Sequence, residues 1–334
     1  MDLQLDNEQR GLRDTMEAFF AKESPADRVA EVAVDGIDRG LWRKMIALGG
    51  PGLAVDESQG GAGLGLLDAV LVCKEAGRRV ACVPVAETIS ATRLLARLQG
   101  CADVLDDALD GRQTVILGIG QPQHGMLPHQ PWGALADAVI VWDEDELVLV
   151  GGGPGAVIPS LGFTGLANWY LEANRRVLAT GPEARAHWEQ ALAEWQLLTA
   201  SVLTGTGLEA LRIGCDYARE RIAFGVQIGS FQALQQPLAE SQTSLEGIEL
   251  LVQETAWVDF DGDHWKRQSL MCFVAAGRAA VAAAERALHV HGGYGFTVEY
   301  AINLYVRRAK GLSLMLGDPQ RLWTSIGQSL TQAV

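Results

Sequence analysis

The sequence predicts a mainly α-helical protein with a small central β domain. Three observations carry that expectation. Apolar residues recur every three or four positions through the first third of the chain, short β-rich runs broken by Gly and Pro fill the middle, and helical spacing returns after Pro182. The expected boundaries are a helical segment over 1–110, a β segment over 111–181 and a helical bundle over 182–334. A chain of 334 residues can bury about three-quarters of its surface, folding from roughly 52,000 Å² to roughly 13,000 Å². Its 27 Lys and Arg against 41 Asp and Glu give a net charge of −14, the wrong sign for a nucleic-acid surface. The start, MDLQLDNEQRGLRD, shows no basic stretch leading into an apolar run, and no run reaches the about 18 apolar residues of a membrane span. The expectation is a cytoplasmic protein. Five cysteines, none in a CxxC pair, read as reduced core residues.

The elements follow in order. Asp6 and Gln9 form a capping pair, and Leu12, Met16, Phe19 and Phe20 continue as one apolar stripe. A second helix runs through LWRKMIALGG. The glycine-rich stretch GLAVDESQGGAGLG interrupts the pattern and carries no Lys for a phosphate, before Leu66, Ala69, Val70, Cys73 and Ala76 resume it. TVILGIG, AVIVW, ELVLV and RRVLA read as strands, with a hairpin turn at Asp143 to Glu146. Trp188, Leu192, Trp195, Leu198 and Val202 then step by three or four, and three more long helical patterns follow. The alanine-rich stretch 275–287, AAGRAAVAAAERA, lets neighbouring helices approach closely.

Several motifs fail on context. ELVLVGGGPGAV resembles a dinucleotide fingerprint, but Pro159, Gly162 and Gly165 follow where a helix must begin. His289 and His291 are two apart and face different directions on a helix, and Asp259, Asp261 and Asp263 lack the Gly and Glu of a calcium loop. No metal site is expected, and no GxSxG, HExxH or P-loop occurs.

Two glycine-bearing segments remain. RIAFGVQIGSFQ carries Arg221, Phe224, Gly225 and Gln232, and HVHGGYGF carries His289, His291, Gly292, Gly293 and Gly295. Arg221 offers a planar, permanent cation suited to phosphate or carboxylate. Gly292 and Gly293 end a helix, where backbone amides can meet an anion. In this order, and together with LWRKMIALGGPGLAVDESQGGAGLGLLDAVLVCKEAGR and ALHVHGGYGFTVEYAINLYVRRAK, the segments resemble the acyl-CoA dehydrogenase family. The resemblance implies an N-terminal helical domain, a middle β domain, a C-terminal four-helix bundle and FAD at a subunit interface. It matches Arg221, Ala223, Phe224, Phe231 and Gln232 to positions contacting the adenine and pyrophosphate end of a flavin held mainly by a neighbouring subunit. His289 to Gly293 match the other half of that contact, with His289 where the family usually has Gln.

The reaction implied removes a proton from the carbon beside a thioester carbonyl, while hydride passes to flavin N5, so a base is needed. The resemblance places Leu316 at the usual Glu position and Asp318 where a flavin-binding Thr usually stands. In some relatives the Glu lies on the first bundle helix. That position falls on Trp195, with Glu194 one residue away and rotated by about 100°. The TExxxGSD-like segment that grips the flavin ring is also missing. The pattern resembles the base-lacking subunit of heteromeric α2β2 bacterial enzymes of steroid side-chain breakdown. That implies a Glu-bearing partner, an acyl-CoA substrate and electron-transfer flavoprotein as the acceptor. Two other readings stay open: a self-sufficient homomeric enzyme using Asp318 or Glu194 as base, and a flavin-free structural or regulatory subunit.

Overall fold

A computed structural model describes residues 4–172, 174–258 and 262–332. Six helices open it: α1 (Asn7–Glu23), α2 (Ala26–Val32), α3 (Arg39–Ala47), α4 (Leu66–Arg78), α5 (Val85–Arg97) and α6 (Ala102–Leu109). The expected capping box starts α1. The Asp6 carboxylate accepts from the Gln9 amide at 2.8 Å, and the Gln9 side chain accepts from the Asp6 amide at 3.1 Å, occupying donors that a helix start leaves free. Met16 and Phe20 are buried, with Leu12 and Phe19 packed against the same core. The seven-residue α2 is too short to show a period, and the sequence pattern passes over it.

Strands β1 (Val115–Leu117), β2 (Met126–Gln130), β3 (Ala138–Asp143), β4 (Glu146–Gly151), β5 (Ala167–Tyr170) and β6 (Arg175–Thr180) all fall between α6 and the next helix. Four form a sheet in the order β1-β3-β4-β6, with β1 parallel to β3 and the other pairs antiparallel, while β2 and β5 pair as a separate ribbon. The expected hairpin is present, with Asp143 opposite Glu146. Val139 and Val141 of β3 join Leu127 and Trp169 in a separate core within the β segment, whereas Ile140 and Trp142 join the main core with the helices. Burial on both faces explains the unbroken apolar run AVIVW. The sequence pattern misses β2, which holds Pro128 and His129 at φ +54, and the four-residue β5.

The rest is α7 (Gly181–Glu220), a small hairpin of β7 (Ile222–Ala223) and β8 (Val226–Gln227), then α8 (Gln232–Trp257), α9 (Gly262–His291), α10 (Ile302–Ser313) and α11 (Pro319–Gln332). Helix α7 has 40 residues, a length of about 60 Å. Glycines set its packing. A Cβ on Gly205 would lie 2.0 Å from the Lys74 carbonyl oxygen and one on Gly77 2.0 Å from that of Val202, so α4 and α7 cross backbone to backbone. Gly207 and Gly214 admit Ala280 and Ala287 of α9 in the same way, the close approach expected of the alanine-rich stretch. The five cysteines are free thiols, and all but Cys215 are buried. Among the described residues no helix is long and apolar enough to cross a membrane. Asp259 and Asp261 lie outside the described residues, and Asp263 pairs with Lys266 at 2.7 Å.

One buried cation ties these parts together. Arg308 of α10 is 1% exposed. Its Nε donates to the Gly162 carbonyl at 2.9 Å and its Nη1 to the Ala81 carbonyl at 2.9 Å, and Nη2 lies 3.3 Å from Cys82 Sγ. The guanidinium lies 4.3 Å from the Phe163 ring centroid and 5.3 Å from that of Trp132. Burial lowers its pKa, opposed by Cys82 and Glu87, and from so high a starting value the group stays charged. Beside it a Cβ on Gly311 would lie 2.5 Å from Gly162 Cα, so α10 touches the loop before β5 with bare backbone. Arg308→Ala leaves buried carbonyls without donors at about 1–3 kcal/mol each. A urea unfolding midpoint lowered by the equivalent of about 3 kcal/mol or more is expected, with Arg308→Lys intermediate.

Candidate functional site

Helix α7 ends because Arg221 turns to extended backbone (φ −71, ψ 124), its amide closing on the Tyr217 carbonyl at 2.9 Å. The chain then makes a two-residue hairpin, Ala223 opposite Val226, through Phe224 at φ +57 and Gly225 at φ +82. Two positive-φ residues are the geometry of a tight hairpin turn, where Gly is at ease and Phe is not. The turn holds Phe224 out in solvent, 95% exposed, with its ring edge-on to Phe231 at 6.2 Å. Ala223 is half-buried in the hairpin, and Gln232 opens α8 on the exposed side.

The second segment arrives at the same place. Helix α9 stops at His291, Gly292 takes φ +60, and residues 292–296 form a 3-10 turn. No atom stands within 4 Å of where a Cβ on Gly292 or Gly293 would lie. Tyr294 from this turn carries the Arg221 guanidinium 5.8 Å above its ring, so the two segments singled out in the sequence meet. Arg221 makes no carboxylate ion pair among the described residues. His289 is exposed and lines a cavity of about 450 Å³ with Leu234, Pro237 and Arg286 between α8 and α9. His291 is a core residue: Nδ1 lies 2.7 Å from the Ala287 carbonyl oxygen, and the ring stacks on Tyr217 at 4.2 Å. Tyr294 was missed by the sequence reading, although it sits between the glycines of HGGYGF. The chain exposes 15152 Å², more than the roughly 13,000 Å² of a monomer this size. Phe296 at 72% and Val298 at 82% stand exposed in and just after the 292–296 turn.

The groups nominated as bases lie elsewhere. Glu194 is 1% exposed. Arg93 forks onto it at 3.0 and 3.1 Å, and Arg97 donates to the same carboxylate. Burial pushes this carboxyl up, but Arg93 and Arg97 outweigh it and hold the pKa below the ordinary value. Asp318 is exposed at the start of α11, where its carboxylate accepts from the Gln320 amide at 2.9 Å, a helix-capping role. Leu316 lines a cavity of about 630 Å³ between Trp188 and Leu192 of α7 and the loop at Gly120 to Gly125. Glu189 in that lining is held below the usual range by its hydrogen bond from Lys266, against burial and with Arg185 assisting.

Trp195 is fully buried, and its indole N–H donates to Glu87 at 3.1 Å. Glu87 has no counterpart in the sequence reading, where its only signal is a lone carboxyl in the apolar run of α5. Burial pushes it up to about 7, against the pull of the Trp195 hydrogen bond. At 3% exposure it is sealed from solvent and serves the core.

Comparison with known proteins finds the acyl-CoA dehydrogenase N-terminal domain matching residues 6–99 and the acyl-CoA dehydrogenase C-terminal domain matching residues 188–331. Acyl-CoA dehydrogenase FadE27 of Mycobacterium tuberculosis is 31% identical over 335 residues, 88% of this chain and 89% of that one. A chain of the ChsE4–ChsE5 complex from Mycobacterium tuberculosis superposes with a TM-score of 0.87 at 25% identity, over 99% of this chain and 99% of that one. Butyryl-CoA dehydrogenase from Megasphaera elsdenii has the same fold, with a TM-score of 0.87 at 18% identity over 99% of this chain and 100% of that one.

Two measurements check these assignments. Glu194→Gln strands two arginines and is expected to cost on the order of 3–5 kcal/mol in chemical unfolding, as for a broken buried ion pair. Glu87 carries a pKa raised from 4.5 to about 7, so its stabilisation is complete below pH about 4.5 and is lost as pH rises through about 7, amounting to about 3 kcal/mol. Glu87→Gln keeps an acceptor for Trp195 and is expected to remove that part of the pH dependence of the unfolding free energy.

Proposed function

The chain belongs to the acyl-CoA dehydrogenase family, whose members are FAD-dependent enzymes, and on that premise we propose that it is the subunit of a two-subunit dehydrogenase that lacks the base and completes its partner's flavin site. One asymmetry carries the reading: the cation and glycine edge at Arg221 stands open, while Glu194 and Asp318 are already engaged by arginines and helix amides.

The edge fits the adenine and pyrophosphate end of FAD. Arg221 has charge to spare, and the backbone at Gly292 and Gly293 is unobstructed, so anionic oxygens can reach both. When bound, FAD supplies the hydride acceptor of the dehydrogenation. Arg221 neutralises charge at the pyrophosphate, Gln232 and His289 offer donors beside it, and Phe224 and Phe231 exclude water. Ala223 holds the hairpin in register. Leu316 offers nothing to take a proton, so the partner provides the Glu. The two-protein ChsE4–ChsE5 complex among the structural relatives supports an α2β2 assembly. The substrate is an acyl-CoA with a bulky acyl group of the steroid side-chain type, and electron-transfer flavoprotein is the acceptor.

The homomeric reading asks Glu194 to leave two arginines or Asp318 to leave a helix start, each at a cost in stability. Co-production of the chain with its Glu-bearing partner tests the proposal. Arg221→Ala is expected to weaken flavin retention by about 10- to 100-fold, or about 1.5–3 kcal/mol for lost charge-assisted hydrogen bonds, read from the visible flavin absorbance of the purified complex. Unchanged flavin content overturns the half-site. Full flavin occupancy with turnover by the chain alone overturns the need for a partner.

A further inference from the structure

Tyr294, the ring beneath Arg221, has no task in the flavin half-site described above. It is exposed, yet both its backbone and its ring are held. The Tyr294 carbonyl accepts from the Thr297 amide at 3.1 Å and from the Thr297 hydroxyl at 3.0 Å, which closes the turn after α9. Gly295 seats that turn on the helix: a Cβ there would lie 2.9 Å from the Leu288 carbonyl oxygen and 3.1 Å from His291 Cβ, so a larger residue forces the turn outward.

The ring also continues a row of aromatic side chains that joins the ends of α7 and α9 to the start of α10. Tyr217, in the last turn of α7, stacks on His291 at 4.2 Å. Tyr300, just before α10, stands edge-on to His291 at 5.8 Å and to Tyr217 at 6.4 Å, and it reaches Tyr294 at 5.7 Å with 41° between the rings. Tilted and edge-on pairs at such spacings attract one another. His291 anchors the row. It is 5% exposed, and since the Ala287 carbonyl oxygen 2.7 Å from its Nδ1 can only accept, that nitrogen carries the proton. Arg221 closes its own amide on the Tyr217 carbonyl at 2.9 Å and extends its guanidinium over the far end of the row, 5.8 Å from the Tyr294 ring centroid.

How a cation is held decides what it can still bind. A carboxylate partner takes the N–H donors at the edge of a guanidinium, whereas a ring takes only its face. Among the described residues no hydrogen bond or ion pair uses the Arg221 side chain, so its edge stays open to a bidentate contact with phosphate oxygens. Its long stem is ordered before the anion arrives, which spares binding part of the cost of immobilising a flexible side chain.

We propose, resting on the flavin half-site reading above, that Tyr294 is a positioning residue: its ring orders the Arg221 guanidinium for the pyrophosphate and acts on the flavin only through that cation. The test is a double-mutant cycle in the complex with the Glu-bearing partner, stripped of flavin and titrated with FAD by fluorescence quenching. Tyr294→Leu, which keeps apolar cover and removes the π face, is expected to weaken FAD binding by about two- to fivefold, the worth of an exposed cation–π contact. Tyr294→Phe keeps the face and is expected to retain the affinity of the unaltered complex. Arg221→Ala/Tyr294→Leu is expected to bind FAD no more weakly than Arg221→Ala alone, because a residue that works through the arginine has nothing left to lose without it. Unchanged affinity in Tyr294→Leu, with Arg221→Ala weakened, overturns the positioning role and leaves the half-site standing. Equal losses in the Phe and Leu variants assign the effect to the hydroxyl, and additive losses in the double variant assign it to direct contact with flavin. Either result also overturns the proposal. Unchanged affinity in Arg221→Ala overturns the half-site itself.

Discussion

The arrangement rests on the burial of one guanidinium. A charge cannot leave water without partners, and Arg308 takes them from the Ala81 carbonyl before α5, the Gly162 carbonyl before β5 and the faces of Trp132 and Phe163. These come from stretches of chain far apart in sequence, so satisfying one cation sets helices, strands and bundle against one another. Gly162 and Gly311 are consequences of the same constraint, because only bare backbone lets α10 come near enough to the loop. A slip of α10 by one turn, about 5.4 Å, loses every one of these partners together. Since α10 packs on α7 and α9, the turn at Gly292 to Tyr294 inherits its place from this latch.

Charge is used in two ways in the molecule. Inside, Glu194 with Arg93 and Arg97 forms a closed group whose carboxylate is fully engaged and therefore poor at accepting a proton. At the edge, Arg221 rests on an aromatic ring, an attraction of about 0.5–1 kcal/mol at an exposed site, far less than a phosphate offers it. A cation so weakly held is available to a ligand, and a carboxylate so tightly held is unavailable for chemistry. That contrast is the physical basis of the proposal that this chain assists a reaction whose base comes from elsewhere.

Local signals were legible in the sequence. The Asp6–Gln9 box, the Asp143 to Glu146 hairpin, the helical stripes and the alanine-rich face of α9 each depend on residues close together in the chain, where spacing is enough. The segments around Arg221 and Gly292 stand out as motifs, but that Arg221 rests on Tyr294 follows only from how α7 and α9 end side by side. Strand β2 was illegible because Pro128 and a left-handed His129 break the alternation that marks a strand. Glu87 was illegible for another reason. A lone Glu in an apolar helix looks ordinary until Trp195 is brought beside it.

The turn at Phe224 carries a consequence beyond the site. A benzyl group held in water forgoes about 2 kcal/mol of burial, and a non-glycine residue at φ +57 adds backbone strain. In the two-subunit assembly proposed above, the partner's surface covers the hairpin and relieves the first of these burdens. On that proposal, a copy made in excess of its cover is the less soluble species and the first to precipitate, so the ratio in which the two polypeptides are synthesised becomes part of what keeps this one in solution.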